Sequence, residues 1–234
     1  MRGCLFVVAL AAVVLSAGAW VGSPILASTL ISTAIENAGY HAASSTVTAT
    51  SSPPLKLLIG RADRVEIAGT DIDFRTFHAA SLDVVLTDVD VIGKTAGRIS
   101  GRITGAELTT TAGEATSADV DIDGDADAAN AAIVVDAATV DRVVRLAFQQ
   151  KFGVAVSATK LVAPDTLRIT PLGATVEGRL LVDANGAIAF SSSLGSSPIL
   201  SFDPSFPLRF RAVRIDGGNL RIDATLDAEA LLGG

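Results

Sequence analysis

Most of the chain alternates apolar and polar residues with a period of two. Val65-Glu-Ile67, Leu82-Asp-Val84, Val120-Asp-Ile122, Leu167-Arg-Ile169, Leu208-Arg-Phe210 and Leu220-Arg-Ile222 all follow it. In a strand this places aliphatic side chains on one face and Asp, Arg and Thr on the other. The runs recur at roughly ten-residue spacing with Gly, Asn, Asp or Pro between them, which predicts a mostly antiparallel sheet. Asn185-Gly186 predicts a hairpin between Val176–Val182 and Ile188–Phe190. Gly217-Gly218 predicts another between Phe210–Ile215 and Leu220–Leu226. The short repeat Arg98-Ile-Ser-Gly101 and Arg102-Ile-Thr-Gly105 reads as a glycine-kinked strand.

Two segments change period. Ser23 and Pro24 suit the cap and first position of a helix. Ala27, Leu30, Ile31, Ala34, Ile35 and Ala38 then form an apolar stripe ending at Gly39. Asp136 caps a second helix, whose stripe is Val140, Val143, Val144, Ala147, Phe148 and Phe152, with Lys151 and Gly153 closing it. Ahead of both, Arg2 precedes the apolar run Cys4–Val21, and Ala17-Gly18-Ala19 offers a cleavage site. Residues 1–22 are therefore expected to be a signal peptide or a membrane anchor, and residues 23–234 a single exported domain. The expected class is α+β, a long sheet with very few helices. Such a sheet has more apolar face than two helices cover, so it must curl around them or enclose a ligand.

Composition narrows this further. The chain is 49% hydrophobic with a mean hydropathy of +0.49. Beyond the leader, however, no stretch reaches the roughly 20 apolar residues that span a bilayer, which excludes a polytopic membrane protein. Eighteen Lys and Arg against 25 Asp and Glu give a net charge of −7, and no basic footprint for nucleic acid is present. Cys4, the only cysteine, lies in the leader, so the domain has no disulfide and no Cys-based metal site.

Candidate chemistry is sparse. Asp119, Asp121 and Asp123, followed by Gly124, Asp125 and Asp127, match the opening of a calcium loop, whose carboxylates supply hard oxygen ligands. Asn130 stands where the bidentate Glu of such a loop belongs, and Val120 and Ile122 are bulky for it. The plainer reading is a strand with Asp on its wet face, then a turn. His41 and His78, just past the first helix and in a turn before a strand, read as surface residues. Leu194-Gly-Ser-Ser-Pro198 lacks the second glycine of a nucleophile elbow, and no phosphate-binding, dinucleotide or zinc-protease motif occurs. The expectation is a protein that is not an enzyme and holds no cofactor. Arg209, Arg211, Arg214 and Arg221 either meet anionic head groups or pair with Asp216 and Asp223 across their hairpin. Leu55, Leu57, Leu58 and Ile59, ahead of Gly60, form either an apolar lip at a membrane or ordinary core.

One stretch carries a family likeness. Ser52-Pro-Pro-Leu-Lys-Leu-Leu-Ile-Gly-Arg-Ala-Asp-Arg-Val-Glu-Ile67 resembles the LmeA-like phospholipid-binding proteins, in which a Pro-Leu-Leu-Gly element leads into a strand. Ala79–Val91, then Ile133-Val-Val-Asp136 with the helix after it, then Pro207–Gly218 and Leu220–Ala224, resemble that family's later elements in the same order. The likeness covers roughly residues 23–230; the Asp119–Asp127 run and the glycine repeat around Gly101 are departures from it. It implies a strongly curved sheet wrapped around one or two amphipathic helices, as in tubular lipid-binding modules, with acyl chains held in an apolar cavity. It also implies a place in the cell envelope or periplasmic space, anchored or secreted, with phospholipid and membrane as partners. Leu55, Leu58, Ile59, Val144, Phe148, Phe152 and Phe210 are the residues expected to touch lipid. The alternative is a secreted β-rich interaction module, stabilised by calcium through the Asp119–Asp123 carboxylates.

Overall fold

The period-two runs fold as strands and the 3.6-period run as a helix. The computed structural model describes residues 40–74, 77–110, 115–193, 195–201 and 208–227. The expected leader, 1–22, and the helix expected from Ser23 to Gly39 lie outside the described residues. In chain order the strands are β1 (Tyr40–Thr50), β2 (Arg61–Phe74), β3 (Phe77–Asp90), β4 (Arg98–Thr110), β5 (Ala115–Asp125) and β6 (Ala129–Val135). Helix α1 (Ala137–Phe152) follows. Then come β7 (Val156–Val162), β8 (Thr166–Pro171), β9 (Val176–Val182), β10 (Ile188–Ser192), β11 (Gly195–Ser201), β12 (Leu208–Asp216) and β13 (Asn219–Leu226). A 3-10 helix, Pro54–Ile59, joins β1 to β2.

Every strand pairing among the described residues is antiparallel. Both glycine-turn hairpins form where the turn residues predict them, β9 with β10 and β12 with β13. Strand β1 is an addition. Its Ser, Thr and Ala residues carry almost no apolar alternation, and it is held by register with β2 from Tyr40↔Phe74 to Thr50↔Arg64. His41 therefore sits in a strand, opposite Asp73, and is exposed. His78 is likewise a strand residue, in β3.

Strand β4 is the branch point of the sheet. One edge pairs with β5 along most of its length. The other edge pairs with β3 up to Thr104 and with β11 at Thr109 and Thr110. Glycine makes this possible. A Cβ on Gly101 would lie 2.1 Å from the carbonyl oxygen of Asp83 on β3. Gly105, at φ +64, sits where the β4–β5 register shifts. The glycine-kinked reading of the Arg98–Gly105 repeat thus holds.

Beyond the branch the sheet runs β12-β13-β6-β5-β4-β11-β10-β9-β8-β7 and curls until its ends approach. The amide of Ile215 on β12 donates to the carbonyl of Pro164 in the β7–β8 turn at 2.6 Å. Helix α1 packs on β7 and β13, at or next to the two ends of that path, and on β11 in its middle, so the curl closes around it. The result is an open, curled antiparallel sheet around one described helix.

Candidate functional site

Helix α1 is built as the sequence dictates. The Asp136 side chain accepts hydrogen bonds from the amides of Ala138 (2.9 Å) and Thr139 (3.0 Å). These bonds, that of Thr139 first, hold its carboxyl below the usual aspartate range. Gly153, at φ 65, ends the helix and returns its amide to Gln149. Val140, Val143, Val144, Ala147 and Phe148 form the buried face. Polar bonds fix how deeply this face is seated. Arg145 donates to Asp141 (2.7 Å) and to the carbonyls of Val156 (2.6 Å) and Ser157 (3.0 Å) on β7. Asp141 also accepts from Thr159, and the Arg145 guanidinium is the main cause of its lowered pKa.

The inner face of the sheet is aliphatic. Val65, Val84, Ile99, Ile103, Val120, Ile122, Ile133 and Ile222 are buried on successive strands, joined by Leu208 and Phe210 of β12. Smooth Val, Ile and Leu surface of this kind suits a hydrocarbon chain, each buried methylene contributing about 0.8 kcal/mol. Three aromatic side chains meet at the end of α1. Phe148 meets Phe190 of β10 edge-on with centroids 5.8 Å apart, and Phe152 at 5.0 Å. Phe190 and Phe148 are 1% and 3% exposed, whereas Phe152 is 42% exposed. The three rings form a stair from the core to solvent at the C-terminal end of α1. Gly178 makes room for it, since a Cβ there would lie 2.4 Å from the Phe190 ring. Phe190 and Gly178 have no local signal in the sequence; only the pairing of β9 with β10 brings them together.

The seven candidate lipid residues separate into groups. Val144, Phe148 and Phe152 share the inner face or end of α1, and Phe210 is buried on β12. Leu55, Leu58 and Ile59 lie elsewhere, on the 3-10 helix, which packs on β1 and β2. Residues i and i+3 eclipse in a 3-10 helix, so Leu55 and Leu58 share one outward side. Leu57 points inward and is 4% exposed. The core reading of this segment holds for Leu57, whereas Leu55, Leu58 and Ile59 are exposed. Registers set the two groups apart. The 3-10 helix runs into Arg61, opposite Asp90, at the Arg98 end of β4. At the other end, Lys151 of α1 donates to the carbonyl of Ser196 (2.8 Å) on β11, past the Thr110 end of β4. Strand β4, 13 residues long, spans roughly 40 Å between these ends.

The acidic run behaves as a strand face. Asp121 meets Arg102 at 2.6 Å, and Asp123 meets Arg98 at 2.7 Å, both across β4–β5. Asp119 accepts from the amide of Gly105 at 3.1 Å. The Arg102 guanidinium holds the Asp121 carboxyl below the usual range. These oxygens face arginines on β4, and no group of three or more His, Cys, Asp or Glu side chains among the described residues could hold a metal ion. The C-terminal arginines pair as a solvated face: Arg214 with Asp223 at 2.6 Å and Arg221 with Asp216 at 3.4 Å. Arg211 donates to Asn130 at 3.2 Å. His78 bonds Asp73 at 2.9 Å, which raises its pKa.

Helix caps, strand order and an aliphatic inner face are thus the main features of the chain. No curated protein and no solved structure matches it. The model of one family, described as LmeA-like phospholipid-binding, matches residues 16–225. With most of its length under that match, the chain belongs to the LmeA-like phospholipid-binding family.

Proposed function

We propose that the protein is a cell-envelope phospholipid-binding protein that holds acyl chains in an apolar cavity between α1 and the curled sheet. It carries, transfers or presents lipid and is not an enzyme. Residues 1–22 export or anchor it. The observation that carries the reading is the aliphatic inner face of an open, curled sheet, with the packed Phe190–Phe148–Phe152 stair running from the core to the surface. Family membership supports lipid binding in general. Val144, Phe148, Phe152 and Phe210 are the residues assigned to the acyl chain.

Native mass spectrometry of the purified full chain tests this. Phospholipid adducts that organic extraction removes are expected, and Phe152→Ala should reduce them without lowering the melting temperature. A clean apo mass from several expression hosts would sink the proposal.

A further inference from the structure

The two turns at the Arg98 end of the sheet form one apolar tip. Leu55, Leu58 and Ile59 of the 3-10 helix are 48%, 51% and 61% exposed. Ile92, in the turn between β3 and β4, is 79% exposed. The turns are tied together. The amide of Val91 donates to the carbonyl of Gly60 at 2.8 Å. A Cβ on Gly60 would lie 2.9 Å from Cγ1 of Ile92, so the glycine lets that side chain lie over the helix end. Four large aliphatic side chains thus project together, ahead of a long arm of paired strands.

We propose that this tip is a membrane-docking element that inserts its aliphatic side chains at the hydrocarbon boundary of a lipid bilayer. Three features favour a bilayer over a protein partner. The exposed apolar side chains of the tip are all aliphatic, without the Tyr or Trp anchors that dominate protein interfaces. Its polar groups bond to one another, as entry into hydrocarbon requires. The amide of Gly60 donates to Leu57, while Asp90 and Thr95 exchange backbone bonds at 2.9 and 3.1 Å. The Asp90 carboxylate accepts from Gly93 at 2.8 Å.

Charge is the third feature. Across the chain acidic residues exceed basic ones, 25 to 18. In residues 54–66 and 88–94 the two signs balance, with Lys56, Arg61, Arg64 and Lys94 against Asp63, Glu66, Asp88 and Asp90, and Arg64 pairs with Glu66 at 2.7 Å. Asp63 is paired with Lys56 at 2.9 Å, and Asp90 with Arg61 at 3.4 Å. This end is therefore close to neutral and is repelled less by an anionic surface than the acidic remainder of the chain.

The far end supplies the control, since Leu172, in the turn between β8 and β9, is 84% exposed. Ile92→Cys and Leu172→Cys, each made in the full chain with Cys4→Ser, are labelled with an environment-sensitive fluorophore. They are then mixed with vesicles of phosphatidylcholine, with and without phosphatidylglycerol, or with brominated phosphatidylcholine. A label at position 92 should shift to the blue and be quenched by bromines about 5–10 Å below the head groups, while a label at 172 stays aqueous. Adding Leu55→Ser and Leu58→Ser should abolish the shift at an unchanged melting temperature. The label is read locally, so an N-terminal anchor does not mimic the result. The proposal is overturned if position 92 stays in water, or if position 172 enters the bilayer instead. It is also overturned if position 92 becomes buried without vesicles as protein concentration rises, which would make the tip a contact between copies. Docking does not depend on the interior lipid: a chain that never yields adducts by mass spectrometry could still pass this test.

Discussion

Helix α1 and the segment Pro54–Ile59 are built from the same kinds of residue, yet their side chains meet opposite fates. In α1, five apolar residues on a 3.6-residue period reach the core, and the polar residues between them bond to β5 and β7 or face outward. In Pro54–Ile59, four consecutive positions hold Leu55, Lys56, Leu57 and Leu58, and only Leu57 is buried. The difference lies in length and partners. Sixteen residues give α1 four turns to lay against three strands. Six residues give the 3-10 helix one inward side, on β1 and β2, and leave the rest in solvent. Hydrophobicity alone does not set burial; an element must be long enough, and flanked closely enough, to hide what it carries.

Substitutions can break this contrast in order of expected size. Phe148→Ala removes the ring at the centre of the aromatic stair and should destabilise by about 3–5 kcal/mol, read from urea unfolding. Leu57→Ala should cost about 2–3 kcal/mol in the same assay. If Leu57→Ala were neutral, the 3-10 helix would not be seated on the sheet as described. Asp136→Ala, which strips the α1 cap, should cost about 1 kcal/mol near neutral pH. That loss has a pH signature. The Asp136 carboxyl is held below its ordinary value of 3.8, first by the Thr139 amide. Its contribution is full above that value and fades as pH falls through the lower folded pKa. Wild type and Asp136→Ala should therefore converge in stability on acidification, and a gap that widened in acid would contradict the cap. Smallest of all, Leu58→Ala should change stability by no more than about 0.5 kcal/mol. Side by side, Leu57→Ala and Leu58→Ala give the sharpest form of the comparison, because neighbouring leucines differ only in the side they face.

Much of the architecture was legible along the chain, because it depends on contiguous residues. Asp136 and Gly153 mark the ends of α1, and Asn185-Gly186 and Gly217-Gly218 close hairpins in the expected places. The Asp119–Asp123 run reads correctly as a strand face once its alternation is weighed against the bulk of Val120 and Ile122. Strand β1 was not legible, since its small polar residues carry no apolar period and its stability comes from the ladder with β2. Nor was Ile92, a lone isoleucine in a turn, which gains meaning only because Gly60 brings it against the 3-10 helix.

The sequence by itself determined which residues could form strands, where α1 begins and ends, and that the sheet would carry a surplus of aliphatic face. Those properties follow from local periodicity, turn chemistry and capping, which act over a few residues. The tertiary structure decided the rest: the branching of β4, the approach of Ile215 to Pro164 that curls the sheet, the gathering of Phe148, Phe152 and Phe190, and which of two adjacent leucines reaches the core. Each of these joins positions distant in the chain. Their contact depends on strand register and the limited room inside the curl, which no local pattern encodes.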